Sequence, residues 1–343
     1  MSAIPPVQLS VLDTTVIGHT AESAFADTIA LARHAERLGY ARYWMAEHHG
    51  VPGIGSSAPA ITVGAVAAAT SRIRVGSGGV MLPNHVPLVV AEQFGTLAAL
   101  YPGRIDLGVG RAVPDLRTRA VLARGLADYQ ADDFADRVVQ LAGFVTGSFP
   151  QPHPYEQVYV SPRAIRPPSV WILGSSPAGA SLAAALGVPF AFAHHFGRGD
   201  AAAAIEHYKR HFEPSAAFPK PYAMVTLLTV VAVTDAEASR LAGSADLMFR
   251  SMLAGRPILL PSPEEADAHD WTAEDLAFSR QRRRGQAIGS PRTVRDVITE
   301  LLARTGADEL MLTSQMYRLA DRMRSLELAA VAAEQIPTPV AAQ

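Results

Sequence analysis

Residues 72–112 read RIRVGSGGVMLPNHVPLVVAEQFGTLAALYPGRIDLGVGRA, and this stretch decides the fold of the chain. It starts with an apolar run at residues 73–81, which predicts a buried strand. The Ala- and Leu-rich segment 88–100 predicts a helix, and a PGR turn at 102–104 leads into a second apolar run at 105–109. A strand, a helix and another strand in this order are typical of a parallel sheet with crossover helices.

The same rhythm recurs along the whole chain. Strands are predicted at residues 7–12, 41–46, 73–81, 105–109, 170–173, 189–193, 224–233 and 309–313. Helical segments follow these strands, including two over residues 115–147, the second of which starts at Asp132 and Asp133. Eight strand–helix units are the number that closes a barrel, so we predict an α/β chain folded as a (β/α)8 TIM barrel.

The domain organisation follows from this count. We predict one domain over residues 1–343, with residues 257–289, a long polar stretch, as an insertion or lid. A doubly wound open sheet is the rival fold. Its G-x-G-x-x-G sequence is not present, because Gly108-Val109-Gly110 is followed by RAVP.

Composition excludes several functions. The 343 residues are 49% hydrophobic and 18% charged, with a net charge of −2, which gives no reason to expect a nucleic-acid or membrane partner. Cysteine is absent, so thiolate catalysis and Cys-ligated metals are excluded. The N-terminus MSAIPPVQLS lacks the pattern of a signal peptide, and we expect a cytoplasmic protein.

Polar residues and glycines follow five consecutive predicted strands. In a barrel the carboxyl ends of the strands meet at one rim, where chemistry takes place. The residues that follow the strands are Glu47, His48 and His49 after the second, the glycine-rich residues 76–79 with Asn84 and His85 at the third, Gly110 and Arg111 at the fourth, Ser175 and Ser176 at the fifth, and His194 and His195 at the sixth. This convergence predicts an active site.

Each feature also has a simpler explanation. The histidines could be ordinary surface residues, and no spacing typical of a metal site accompanies them, so we predict no metal. Gly-Ser-Ser-Pro before a helix suits a phosphate, but it also suits a plain helix start. Arg280, Arg282, Arg283 and Arg284 are either solvated charges or part of a lid over an anionic cofactor or substrate.

Long segments of the chain resemble bacterial luciferase-like flavin monooxygenases. They are EHHG, the stretch quoted above, and WILGSSPAGASLAAALGVPFAFAHHF at residues 171–196. The resemblance covers about residues 7–196 and resumes near the C-terminus. It implies a (β/α)8 barrel that binds FMN, or deazaflavin F420 in a sister branch, at the strand ends.

The resemblance implies roles for individual residues. His48 corresponds to the family's catalytic histidine and Glu47 to the acidic neighbour that would orient its imidazole. The remaining correspondences concern the flavin: a non-prolyl cis peptide at Gly78 and Gly79 beneath the ring, and Arg111, Ser176, Ala178 and Gly179 at the phosphate. The sequence departs from luciferase at Gly110, which replaces a cysteine, and at Ser175, which replaces a glutamate, so light emission is not implied.

The resemblance also implies an activity and partners. A separate flavin reductase would supply reduced FMN, which would react with O₂ to form a C4a-hydroperoxyflavin and oxygenate a small hydrophobic substrate. The substrate would be an aldehyde, or a natural product such as an aromatic polyketide that is hydroxylated or epoxidised. Met81, Leu82, Val109 and Phe192 are predicted walls of a dry cavity, and a homodimer would use the small-residue helix 61–70.

Three alternatives remain open from the sequence. One is an F420-dependent dehydrogenase or reductase on the same barrel. Another is a metal-dependent barrel hydrolase that uses the histidine pairs. The third is a flavin-binding protein without catalytic activity.

Overall fold

The computed structural model describes residues 7–111, 118, 121–122, 133–149, 153–197 and 199–336. Within these residues the strands are β1 (Gln8–Asp13), β2 (Arg42–Met45), β3 (Arg74–Met81), β4 (Ile105–Gly110), β5 (Ser169–Gly174), β6 (Phe190–Phe192), β7 (Ala223–Val231), β8 (Ala287–Gly289) and β9 (Glu309–Thr313). The helices are α1 (Ala21–Arg37), α2 (Pro59–Ala69), α3 (Pro87–Leu100), α4 (Phe134–Thr146), α5 (Pro177–Ala185), α6 (Ala201–Arg210), α7 (Asp235–Leu253), α8 (Pro263–Asp267), α9 (Ala273–Arg283), α10 (Pro291–Thr305) and α11 (Leu319–Glu334). Single 3₁₀ turns cover Leu82–Asn84 and His194–Phe196.

Eight parallel strands close into a barrel. β1 to β7 pair in chain order, and β9 pairs with both β7 and β1, which joins the two edges. The predicted (β/α)8 barrel is confirmed, and the open sheet is excluded. Because all the strands run in the same direction, their carboxyl ends lie at one rim.

The polar stretch at residues 257–289 contains regular structure that the sequence did not predict. It folds as α8 and α9, and β8 adds to the outside of the barrel by pairing with β7 at Thr229 and Val230. Its function as a lid stays a prediction. The second of the helices predicted over residues 115–147 is α4, which begins after Asp133, and most of the first falls outside the described residues.

Alternation along the strands separates two apolar cores. One lies between the barrel and its helices, and it includes Leu82, Val109 and Phe192. The other fills the barrel interior with Leu12, Trp44, Ala46, Trp171, Ala191, Met224 and Met311. The prediction that Leu82, Val109 and Phe192 line a cavity at the rim is wrong, because their side chains belong to the outer core.

Charged side chains close the barrel at the amino ends of the strands. Arg42 donates to Asp106 Oδ2 at 2.8 Å and to Glu309 Oε2 at 3.0 Å. Both carboxylates are fully buried, and Arg74 also pairs with Asp106. Buried charges are tolerated only when paired in this way. Polar interactions seal this end, and the opposite rim is left for chemistry.

Among the described residues, no helix is both long enough and apolar enough to cross a lipid bilayer.

Candidate active site

The loop after β2 places His48 at the carboxyl rim. The backbone N–H of His48 donates to Ser56 O at 2.9 Å. Val16 and Ile54 form an antiparallel bridge, so the loop is fastened to the segment after β1. His48 is partly buried, and its Nδ1 has no hydrogen-bond partner among the described residues. The hydrogen-bonding capacity of this nitrogen is therefore not used by any described residue.

Glu47 organises the histidines beside His48. Its Oε1 lies 2.8 Å from both His49 Nε2 and His85 Nε2, and its Oε2 accepts from the N–H of Met81 at 2.9 Å. Burial alone would raise the pKa of Glu47, but the hydrogen bonds from His85, His49 and Met81 outweigh it and lower the pKa. Glu47 is thus a buried carboxylate anion.

The predicted contact between Glu47 and His48 is wrong. Both oxygens of Glu47 are used by His49, His85 and Met81, and none reaches the ring of His48. Alternate residues of an extended chain point in opposite directions, so Glu47 turns toward His49 and β3 instead. Burial lowers the pKa of His48, His49 lowers it further, and Glu47 acts only through space in the opposite direction.

The glycines of β3 and β4 have two different reasons for lacking a side chain. The peptide bond between Gly78 and Gly79 is cis. A Cβ on Gly78 would lie 2.7 Å from Leu12 Cδ1, and a Cβ on Gly79 would lie 2.7 Å from Gly108 O, so packing within the barrel demands both glycines. A Cβ on Gly110 would meet only ordinary contacts at 3.7 Å. Packing among the described residues therefore does not require glycine at this position.

The predicted phosphate site lies at the start of α5. Ser176 is the exposed N-cap, and its side chain makes no capping hydrogen bond. The N–H groups of Ala178 and Gly179 therefore remain open at the positive end of a nine-residue helix. Ser175 precedes them partly buried, and Arg111 lies exposed after β4 without an ion pair to any described residue. These groups belong to neighbouring strands β4 and β5.

Sequence reasoning missed the other wall of the rim. Arg282 of α9 donates to Asp246 Oδ1 at 2.8 Å and to Gln315 Oε1 at 3.3 Å. His195 lies close enough for its titration to depend on His48 and Arg282. The arginine cluster was noticed in the sequence, but Asp246, its buried partner 36 residues upstream, carries no local signal.

Among the described residues, no group of three or more His, Cys, Asp or Glu side chains is arranged to hold a metal ion.

Comparison with known proteins identifies the family. The family of luciferase-like monooxygenases matches residues 7–309. The chain belongs to this family. A luciferase-like monooxygenase of Escherichia coli K12 is 40% identical over 333 residues, which cover 96% of this chain and 98% of that protein. The uncharacterized protein YvbT of Bacillus subtilis is 41% identical over 325 residues, covering 94% and 95%.

Solved structures share the barrel of this luciferase-like monooxygenase. The crystal structure of apo-MsnO8 has a TM-score of 0.86 and 39% identity, covering 97% of this chain and 100% of that one. The oxygenating constituent of 3,6-diketocamphane monooxygenase in complex with FMN has a TM-score of 0.71 at 19% identity, covering 98% and 100%. An F420-dependent secondary alcohol dehydrogenase has a TM-score of 0.64 at 15% identity, covering 95% of this chain and 99% of that one. Because the diketocamphane monooxygenase and the alcohol dehydrogenase are both distant in sequence, they demonstrate only a common fold.

Proposed function

We propose that this luciferase-like monooxygenase uses reduced FMN and O₂ to oxygenate a small hydrophobic organic substrate, with the reduced FMN supplied by a separate flavin reductase. The observation that carries the proposal is the meeting of three features at one rim. A free imidazole at His48 follows β2, a bare backbone at Gly110 ends β4, and an uncapped helix start at Ser176 follows the adjacent strand β5.

The residues at the rim fit an FMN molecule by their chemistry. The N–H groups of Ala178 and Gly179, with the hydroxyl of Ser176, would hold the phosphate, because a helix N-terminus attracts anions. Arg111 would add a cation. The space beside Gly110 would accept the flat ring system, which no side chain at that position obstructs.

Bound reduced FMN supplies the electrons that activate O₂, and the protein controls the surroundings. Leu12, Trp44 and Leu173 form an apolar floor within the barrel, and such a floor keeps water from the reacting atoms. His48 holds or moves a proton through its partly buried imidazole ring. Because burial lowers the pKa of His48, its ring is neutral near pH 7 and ready to accept a proton.

Oxygen consumption with defined cofactors tests the proposal. The purified chain is mixed anaerobically with reduced FMN or reduced F420, then exposed to O₂ with decanal as an aldehyde probe. We expect FMN to bind and O₂ uptake to accompany oxidation of the probe. Hydride transfer from reduced F420 to a carbonyl, with no oxidised probe formed under reduced FMN and O₂, would replace the monooxygenase with a dehydrogenase.

A variant of His48 tests its role separately. We expect His48→Ala to reduce the product formed per reduced FMN at least tenfold, because the proton transfer group is removed. His211→Ala changes an exposed histidine at the end of α6 and serves as the control. Equal product yields for the two variants would remove His48 from the mechanism.

A further inference from the structure

Two imidazole rings at the rim have buried nitrogen atoms without partners. The Nδ1 atoms of His48 and His195 are both inaccessible to solvent, and neither makes a hydrogen bond to any described residue. Buried polar atoms are rarely left unpaired, because each costs about 1–3 kcal/mol. Both residues follow strands at the carboxyl rim, and a ligand bound there would complete their hydrogen bonding.

A guanidinium group is fixed beside them. Arg282 is held by Asp246 and Gln315, and its guanidinium lies 4.5 Å from the centre of the Phe249 ring. Arg283 pairs with the same carboxylate, since it donates to Asp246 Oδ2 at 2.6 Å. Two cations share one anion, so this cluster carries one positive charge in excess. The side chain of Arg282 is 15% exposed, so part of it can be reached by a ligand.

The segment after α9 joins this cation to the histidines. His194 Nε2 lies 3.2 Å from Gly285 O, and Gln286 Nε2 donates to His194 O at 3.3 Å. These contacts bind the insertion to the turn after β6, which carries His195. Burial lowers the pKa of His195 most, and the nearby groups His48, His194 and Arg282 lower it further, to about 3. His195 is therefore neutral and donates or accepts a hydrogen bond without carrying charge.

We infer that His48, His195 and Arg282 form an anion-binding end of the substrate pocket, and that it takes a carboxylate carried by an otherwise hydrophobic substrate. One excess positive charge matches one carboxylate, whereas a phosphate would bring about two negative charges. Imidazole N–H groups and a guanidinium are the donors that a carboxylate accepts from. The predicted cofactor phosphate site belongs to β4 and β5, so this end is left for the substrate. Calling the ligand a substrate rests on the proposed function.

Paired acid and amide probes test the inference by calorimetry. Octanoate is compared with octanamide, and 3-phenylpropanoate with 3-phenylpropanamide, for binding at pH 7 with and without oxidised FMN. We expect at least one acid to bind ten times more tightly than its amide. Arg282→Met should remove most of that preference and leave amide binding unchanged. Arg280→Met, which alters an exposed arginine of the same helix, should preserve it.

Several outcomes would overturn the inference. They are equal affinities for acid and amide, no binding of either acid, or the same loss in the two arginine variants. A loss of FMN affinity in Arg282→Met with unchanged acid binding would assign Arg282 to the cofactor instead. If Arg282→Met lowers the melting temperature strongly, His195→Asn replaces it, and we expect about a fivefold loss of acid affinity alone. The ratio of acid affinity to amide affinity is a binding measurement and does not depend on O₂ chemistry. Failure of the proposed oxygenation would show only in the experiment with reduced FMN and decanal.

Discussion

At the scale of single residues, two glycines of β4 lack a side chain for different reasons. Gly108 lacks a side chain because a Cβ there would overlap Ser77 O of the neighbouring strand. Gly110, two residues later and also facing the barrel interior, meets nothing closer than 3.7 Å. Packing inside the protein explains the first glycine but does not require the second, which the proposed flavin site would explain. A substitution at Gly108 should therefore lower stability, whereas a substitution at Gly110 should lower FMN affinity.

Gly110→Leu is predicted to block the cofactor without unfolding the protein. The added side chain would occupy the space assigned to the flavin, so the affinity for FMN should fall at least tenfold. The melting temperature should change little. Gly108→Ala is the matched variant, and it should lower stability by about 1–3 kcal/mol through overpacking. Fluorescence titration with FMN and thermal unfolding measure both effects. Unchanged FMN affinity in Gly110→Leu would place the ring elsewhere.

The lowered pKa of His195 predicts a dependence of stability on pH. The unfolded chain protonates this imidazole near pH 6.5, whereas the folded chain resists protonation down to about pH 3. Below pH 6.5 the unfolded state therefore binds more protons, and stability is lost as the pH falls. His195 alone should cost up to roughly 2 kcal/mol between pH 7 and pH 5.

Urea unfolding at the two pH values measures this loss. His195→Asn cannot take up the proton, so its loss of stability between pH 7 and pH 5 should be smaller than that of the wild type. His211→Asn, at an exposed position, should behave like the wild type. An equal pH dependence in all three proteins would contradict the neutral state of the partly buried His195.

At the scale of elements, the segment of α8, α9 and β8 is ordered by polar contacts. Each helix begins with a capping box, formed by Ser262 with Glu265 in α8 and by Thr272 with Asp275 in α9. Asp246 of α7 is fully buried and binds two arginines of α9. A polar sequence thus packs against the barrel because every buried charge has a partner.

Asp246→Asn is predicted to loosen α9. Removing the carboxylate leaves Arg282 and Arg283 without their common anion, which should cost roughly 3–5 kcal/mol. Urea unfolding measures the cost, and hydrogen exchange should rise in residues 273–283. Asp267→Asn, which removes an exposed partner of Arg240, should cost less than about 1 kcal/mol. Similar effects in both variants would show that Asp246 does not anchor the helix.

At the scale of the whole molecule, the barrel is closed at one end and open to chemistry at the other. Arg42, Asp106 and Glu309 seal the amino end, and apolar side chains including Trp44 and Trp171 fill the middle. On the outside, adjacent helices α2 and α3 expose apolar side chains. They are Ile61, which is 77% exposed, with Val89 and Leu100, and Val86 just before α3.

We expect this outer face to pair two copies of the chain. Exposed apolar side chains grouped on adjacent helices are typical of an interface. Light scattering during gel filtration should give twice the chain mass of 36.4 kDa. Ile61→Glu should shift the population to monomer, whereas Val233→Glu, at an exposed position between β7 and α7, should not. A monomeric wild type would refute the homodimer.

The sequence by itself determined the eight strand–helix units and the residues at the strand ends. These features depend on local spacing: apolar runs define the strands, and polar residues directly after them reach the rim whichever strands become neighbours. The Gly78–Gly79 cis peptide was also anticipated, although through the family resemblance and not through the spacing of residues. The position of His48 directly after the second strand, at the carboxyl rim, was predicted from the sequence as well.

Only the tertiary structure decided which groups meet. Glu47 binds His85, 38 residues away, and Asp246 binds Arg282, 36 residues away, because the packing of distant elements sets those distances. The inward or outward direction of Val109 depends on strand register, which a run of apolar residues does not specify. Hydrogen bonds and ion pairs act over a few ångströms in space, and separation along the chain does not determine that distance.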